Sequence, residues 1–195
     1  VENNNNRQED HEEKSESEEP LEQEVIVVID PGHGGEDLGT YHGSTLEKDL
    51  NLDISLKMGS VLEESGINVV YTRTEDKDVT LEERIFIANN LDATLFISVH
   101  NNAMPETPNY RGTETLFCPS QNLSNRKMDG EKLAAIVQKN LVNKLNTIDN
   151  GTISRPNLAV LRKTNMPAVI AEIAYLSNAS DRENLKQDEF RQKAA

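Results

Sequence analysis

Cysteine is nearly absent from this chain: Cys118 is the only one, which excludes an internal disulfide framework and a cysteine-rich zinc knuckle. Cys118 itself reads as a half-buried strand residue. Long apolar runs are missing too. The longest, Val25 to Ile29 and Leu95 to Val99, fall far short of the ~20 residues that cross a bilayer, so no membrane span is expected. Basic residues are scarce against acidic ones, 20 against 34 for a net charge of −14, and clustered Lys and Arg are what phosphate neutralisation requires, so nucleic acid is excluded as a partner. There is no HExxH, no phosphate loop ending in GK[ST] and no GxSxG elbow presenting a serine nucleophile. The chain opens at Val1 with neither a charged n-region nor an apolar h-region, and a secretory signal or anchor is expected upstream.

What is present divides in two. Residues 1–24, VENNNNRQEDHEEKSESEEPLEQE, hold ten acidic and two basic side chains, so −8 of the −14 resides there and −6 remains for the rest. With almost no apolar surface to offset ordering entropy, this stretch is expected to be a disordered acidic leader, and His11 within it a solvated residue. Residues 25–195 are long enough for one domain. EVIVVID reads as a strand buried on both faces and ending in Pro-Gly. Leu46 to Ser65 has helical spacing and stops at Gly66, and INVVYT is the next strand. Thr80, with Glu83 three residues on, caps a helix over LEERIFIANN. ATLFISVH and GTETLFC follow as strands, and Met128 to Leu145 as an amphipathic helix. LAVLR and PAVIAEIAYL are read as the last strands, and Ser180 as the cap of a final short helix. The order predicts an α/β domain whose sheet, flanked by helices, is mixed because two strand pairs lack a helix between them.

Ligand sites in such sheets form beyond the carboxyl ends of the strands. His33 follows the first strand in DPGHGG, His100 closes LFISVH, Glu172 lies inside AVIAEIAYL, and Glu47 begins the first long helix. Three protein ligands with imidazole and carboxylate donors, leaving a position for water, are a common zinc-hydrolase set, and His33, His100 and Glu47 would fill it. Glu172 is then the candidate proton carrier. Plainer readings exist: a turn histidine at His33, a core histidine at His100, a helix-dipole partner at Glu47. Glu172 resists one, since a carboxylate in an apolar strand costs several kcal/mol unless paired. His42 is the rival ligand.

Together with YTRTEDKDVTLEERIFIAN, FISVHNNA, RGTETLF and NLAVLRKTNMPAVIAEIAYLSN, the stretches IDPGHGGEDLGT and LEKDLNL make the chain resemble, from Val25 almost to its end, the zinc-dependent N-acetylmuramoyl-L-alanine amidases of the amidase-3 type. The resemblance implies a central mixed sheet of about six strands, Zn2+ held by His33, Glu47 and His100, Glu172 as the catalytic carboxylate, and peptidoglycan as substrate. Asn102 and Arg162 are candidates for the substrate groove. Arg73, Asp76, Arg84, Ser177 and Asn178 also match family positions, with structural or groove-shaping roles expected. The usual Gly-Phe after the catalytic glutamate is Ala174-Tyr175 here, and no inserted regulatory helix or wall-binding repeat is evident. A leader plus a catalytic domain looks like the Gram-positive type acting on spore cortex, outside the cytoplasm, with a possible accessory or activating protein. A zinc peptidase or carboxypeptidase acting on wall peptides, and a non-catalytic wall-binding domain, are the alternative readings.

Overall fold

The computed structural model describes residues 24–119 and 128–195; the expected leader lies outside them, apart from Glu24. In chain order the elements are β1 (Ile26–Pro31), β2 (Tyr41–His42), β3 (Thr45–Leu46), α1 (Glu47–Glu64), β4 (Asn68–Tyr71), α2 (Leu81–Asn90), β5 (Leu95–Asn102), β6 (Thr113–Phe117), α3 (Gly130–Leu145), β7 (Asp149–Ser154), α4 (Ala159–Arg162), β8 (Ala168–Tyr175), α5 (Ala179–Lys186) and α6 (Asp188–Ala194). Six strands form one sheet in the order β4-β1-β5-β8-β6-β7, while β2 and β3 make a separate hairpin. The sheet is mixed as expected. Its neighbours run parallel except β6 against β8.

Several local readings hold. Thr80 forms a complete capping box with Glu83, satisfying two backbone donors that the first helical turn would otherwise leave unpaired. Gly66, at φ +78, follows the end of α1. Two readings need correction, and one strand was not anticipated. LAVLR is not a strand: Ala159–Arg162 is a single helical turn, a short apolar run whose periodicity cannot separate the two conformations. The strand beside it is instead Asp149–Ser154, polar and half-exposed at the sheet edge. Asn178, rather than Ser180, caps α5, its side chain accepting from the amides of Ser180 and Asp181.

Helices cover both sheet faces. One core joins Val28, Phe96, Ala168, Ile170 and Leu116 to Ile85 of α2 and Leu161 of α4; the other joins Val99, Ala171 and Ile173 to Ile54 of α1, Leu141 of α3 and Leu185 of α5. Because strand side chains alternate, cross-strand rows on the α2–α4 face can be followed upward. The row Val28, Phe96, Ala168 is apolar. The next, Asp30, Ser98, Ile170, Leu116, is half polar, and the one above contains His100, Glu172 and Glu114. Polarity therefore rises toward the carboxyl ends of β1, β5 and β8. Among the described residues no helix is long and apolar enough to cross a membrane.

Candidate active site

His33, Glu47 and His100 converge at that polar end: one donor atom from each lies within 4.8 Å of the others. Glu47, the first residue of α1 and only 4% exposed, sits between the two imidazoles. Its Oε1 is 3.1 Å from His33 Nε2 and 3.0 Å from His100 Nδ1, and it accepts from the Asn101 amide, while Oε2 accepts from the Thr40 amide at 2.8 Å. The rings meet edge to face with centroids 4.8 Å apart. Two glycines leave the room. A Cβ on Gly32 would lie 2.2 Å from the His100 ring, and one on Gly39 would meet Glu47 Oε2 at 2.5 Å and His33 at 2.7 Å.

The loop bearing His33 is held from beneath. His33 itself has φ +62, a left-handed conformation that a non-glycine residue keeps only when its surroundings over-determine it. Arg84 supplies that constraint: one nitrogen bonds Asp30 Oδ1 and the Pro31 carbonyl, and the other the His33 carbonyl at 2.9 Å. Buried Arg73 grips the carbonyls of Pro31, Gly32 and Lys48. Asp76 accepts from the Gly35 amide and pairs with Lys48. Ser177 accepts from the Met104 amide, and Asn178 also donates to the Pro108 carbonyl. The structural roles expected of Arg73, Asp76, Arg84, Ser177 and Asn178 thus correspond to specific bonds.

Asp37 belongs to the same site and was not singled out from the sequence. Its Oδ2 lies 2.8 Å from His33 Nδ1, which turns Nε2 toward Glu47. The hint was there in HGGED, since histidine ligands usually donate their second ring nitrogen to a carboxylate or carbonyl. Burial works against a charged His33, but the hydrogen bond and charge of Glu47, with Asp37 behind, hold its pKa up at about 9. Burial likewise opposes ionised Glu47, yet the two histidines keep its carboxyl far below the usual range.

Glu172 neighbours His100 in register on β8. Burial pushes its pKa up to about 7, with Glu47 and Glu114 adding repulsion against the pull of His100 and His33. Its Oε2 is buried and has no hydrogen-bond partner among the described residues. Asn102, the groove candidate, lies beside it and donates to Glu114 Oε1 at 2.8 Å. Arg162, the other candidate, is exposed at the end of α4, and no hydrogen bond or ion pair among the described residues ties it to the cluster. His42 is exposed on β2 and outside the group.

Two imidazoles and a carboxylate facing a second, under-bonded carboxylate at the strand ends of an α/β sheet define the class of a hydrolase with a site able to hold a metal ion. The family model for N-acetylmuramoyl-L-alanine amidases matches residues 27–195, and the chain belongs to that family, whose reaction is hydrolysis of an amide bond in peptidoglycan. Several relatives come from Bacillus subtilis (strain 168), two of them named amidases. The chain is 37% identical over 170 residues to the amidase LytC, covering 87% of this chain and 33% of that protein. It is 27% identical over 184 residues to the germination-specific N-acetylmuramoyl-L-alanine amidase, covering 87% and 75%. Among solved structures, the catalytic domain of the amidase CwlV from Bacillus (Paenibacillus) polymyxa var. colistinus superposes with a TM-score of 0.80 at 33% identity, covering 87% of this chain and 91% of that one. The CwlD amidase of Clostridioides difficile, in complex with the GerS lipoprotein, does so at 0.79 and 29% identity, covering 87% and 92%.

Proposed function

We propose that this chain cuts the amide between the lactyl group of N-acetylmuramic acid and the first L-alanine of the stem peptide, with Zn2+ held by His33, Glu47 and His100 and with Glu172 moving the proton. The observation that carries this reading is the pairing of the His33–Glu47–His100 group with the partnerless buried oxygen of Glu172. The donor set fits the ion. A neutral imidazole and a carboxylate are zinc ligands, and both imidazole nitrogens already lie within 3.1 Å of Glu47 Oε1. When bound there, Zn2+ supplies Lewis-acid polarisation of a carbonyl oxygen and lowers the pKa of water to about 7.

The residues of the chain divide the remaining work. Asp37 orients the His33 ring, and Gly32 lets the His100 ring lie close over the loop. Glu172, with a pKa near 7, is matched to taking a proton from water and delivering it to the departing nitrogen at neutral pH. The test is Glu172→Gln with metal analysis and mass spectrometry of digested muropeptides. The variant should keep its zinc while turnover falls roughly 10²–10⁴-fold, and the wild type should leave muramic acid free of peptide. Zinc lost from Glu172→Gln but kept by Glu47→Ala would reverse the division of roles. Cleavage between amino acids would instead make the enzyme a peptidase.

Action outside the cytoplasm, in wall or spore cortex, is part of the same reading, supported by the germination-specific relative. A helper protein is supported by the lipoprotein bound to CwlD. Purified chain with full activity on intact peptidoglycan would count against the helper.

A further inference from the structure

Glu114 is a second buried carboxylate on the Glu172 side of the site. It is only 4% exposed and lies directly opposite Glu172 on the antiparallel β6–β8 pair, where facing Cβ atoms are about 5 Å apart. Across β5, β8 and β6 the row therefore reads His100, Glu172, Glu114. Glu114 lies one strand beyond Glu172 on the side away from the candidate metal ligands. No Lys or Arg pairs with it among the described residues. Its neighbours are neutral: Asn102 donates from Nδ2 at 2.8 Å, and the Tyr175 hydroxyl lies near enough to interact with it.

Tyr175 reaches this place through an irregularity in the strand. Between His100↔Glu172 and Asn102↔Tyr175, β8 carries one more residue than β5, and such a bulge resets the alternation and re-aims the following side chain. The ring then lies edge to face with Tyr110, centroids 5.0 Å apart, and its hydroxyl meets Asn102 Nδ2 at 3.3 Å. Asn102 is fixed in turn, since its Oδ1 accepts from the Ala103 amide. Glu114 is thus flanked by two neutral partners beside a second carboxylate that has an unpaired oxygen, and among the described residues no Lys or Arg reaches either of them. Burying a carboxylate this way is costly unless a cation arrives.

The reaction makes one. Water adds to the amide carbonyl, the C–N bond breaks with its electron pair staying on nitrogen, and the nitrogen takes a proton from Glu172. The products are a lactyl carboxylate and a peptide amine, which gains a second proton from solvent to become ammonium. We propose that Glu114, braced by Asn102 and Tyr175, is the subsite that receives this freed amino group and holds the peptide product on the leaving-group side of Glu172. The assignment rests on the amidase reading above.

The experiment is titration calorimetry of the zinc-loaded enzyme at fixed pH. The ligand is the peptide that the enzyme itself releases from wall fragments, with its N-terminus free or acetylated. Wild type should bind the free amine about tenfold or more tightly than the acetylated form, the worth of a charge-assisted hydrogen bond. Glu114→Gln, which keeps the shape and an acceptor for Tyr175, should lose that preference while retaining zinc. Tyr175→Phe is a second variant should Glu114→Gln fold poorly; it removes only a hydroxyl and should reduce the preference. No preference in wild type, or an undiminished one in whichever variant folds, overturns the subsite. Both failures are separable from failure of the amidase reading, which the muropeptide digest reports through the cleaved bond.

Discussion

The two sides of the site are built differently. On the His33 side the loop itself is densely bonded, though Asn101 Oδ1 behind Glu47 has no partner among the described residues: Arg73 and Arg84 hold the carbonyls of the loop, Asp76 and Asp37 hold its amide and imidazole, and Thr72, Ser98 and Arg84 all bond Asp30. On the Glu172 side, among the described residues, one carboxylate oxygen has no hydrogen-bond partner and Glu114 has only neutral ones. Satisfied buried networks fix geometry, whereas an unsatisfied buried group is a standing cost that ligand binding can relieve. The first side is suited to holding metal ligands still and the second to engaging groups that come and go.

Removing a ligand should have the largest effect. His100→Ala is expected to abolish zinc retention and with it turnover to background; full metal content by plasma emission spectroscopy in that variant would break the ligand side of the contrast. Next comes the clamp. Arg84→Met leaves Asp30 buried without its cation and should cost about 3–5 kcal/mol of folding stability, read by denaturant titration of metal-free protein. A stable Arg84→Met protein would show that the loop does not depend on its buried cation.

Asp37→Asn should leave the fold intact and weaken metal affinity 10–100-fold, the usual loss when a carboxylate behind a ligating histidine is removed. The smallest effect is a slope. Metal-free His33, with its pKa near 9, must shed a proton to become a ligand, so zinc affinity should climb about tenfold per pH unit for each proton displaced and level off above pH 9. The sign for the metal-free fold is opposite. A histidine pKa raised on folding stabilises fully below its unfolded value near 6.5 and loses that contribution as pH rises through about 9. A flat affinity between pH 7 and 9 would show that His33 binds without a proton to lose.

Much of the site was legible along the chain because its residues stand at punctuation points: His33 after Pro-Gly, Glu47 at a helix start, His100 at a strand end, Glu172 as the charge inside an apolar run. Thr80 and Glu83 were legible because a capping box is complete within four residues. LAVLR misled because four or five apolar residues carry no decisive period. DNGTIS escaped notice because an edge strand with exposed, polar positions lacks the apolar signature of a buried one. Arg162 was named from resemblance, and the fold leaves it exposed at the end of α4.

By itself the sequence indicated the α/β class, most of the helices and buried strands, and four polar residues at their ends, since turn chemistry, caps and apolar periodicity are properties of neighbours in the chain. Only the tertiary structure decided which residues share a row, that Asp37 stands behind His33, that a bulge brings Tyr175 to Asn102, and that Glu114 faces Glu172 across 58 positions of sequence. Strand register is chosen by the packing of whole sheet faces, and a shift of one residue would have turned the strand side chains among these to the opposite face.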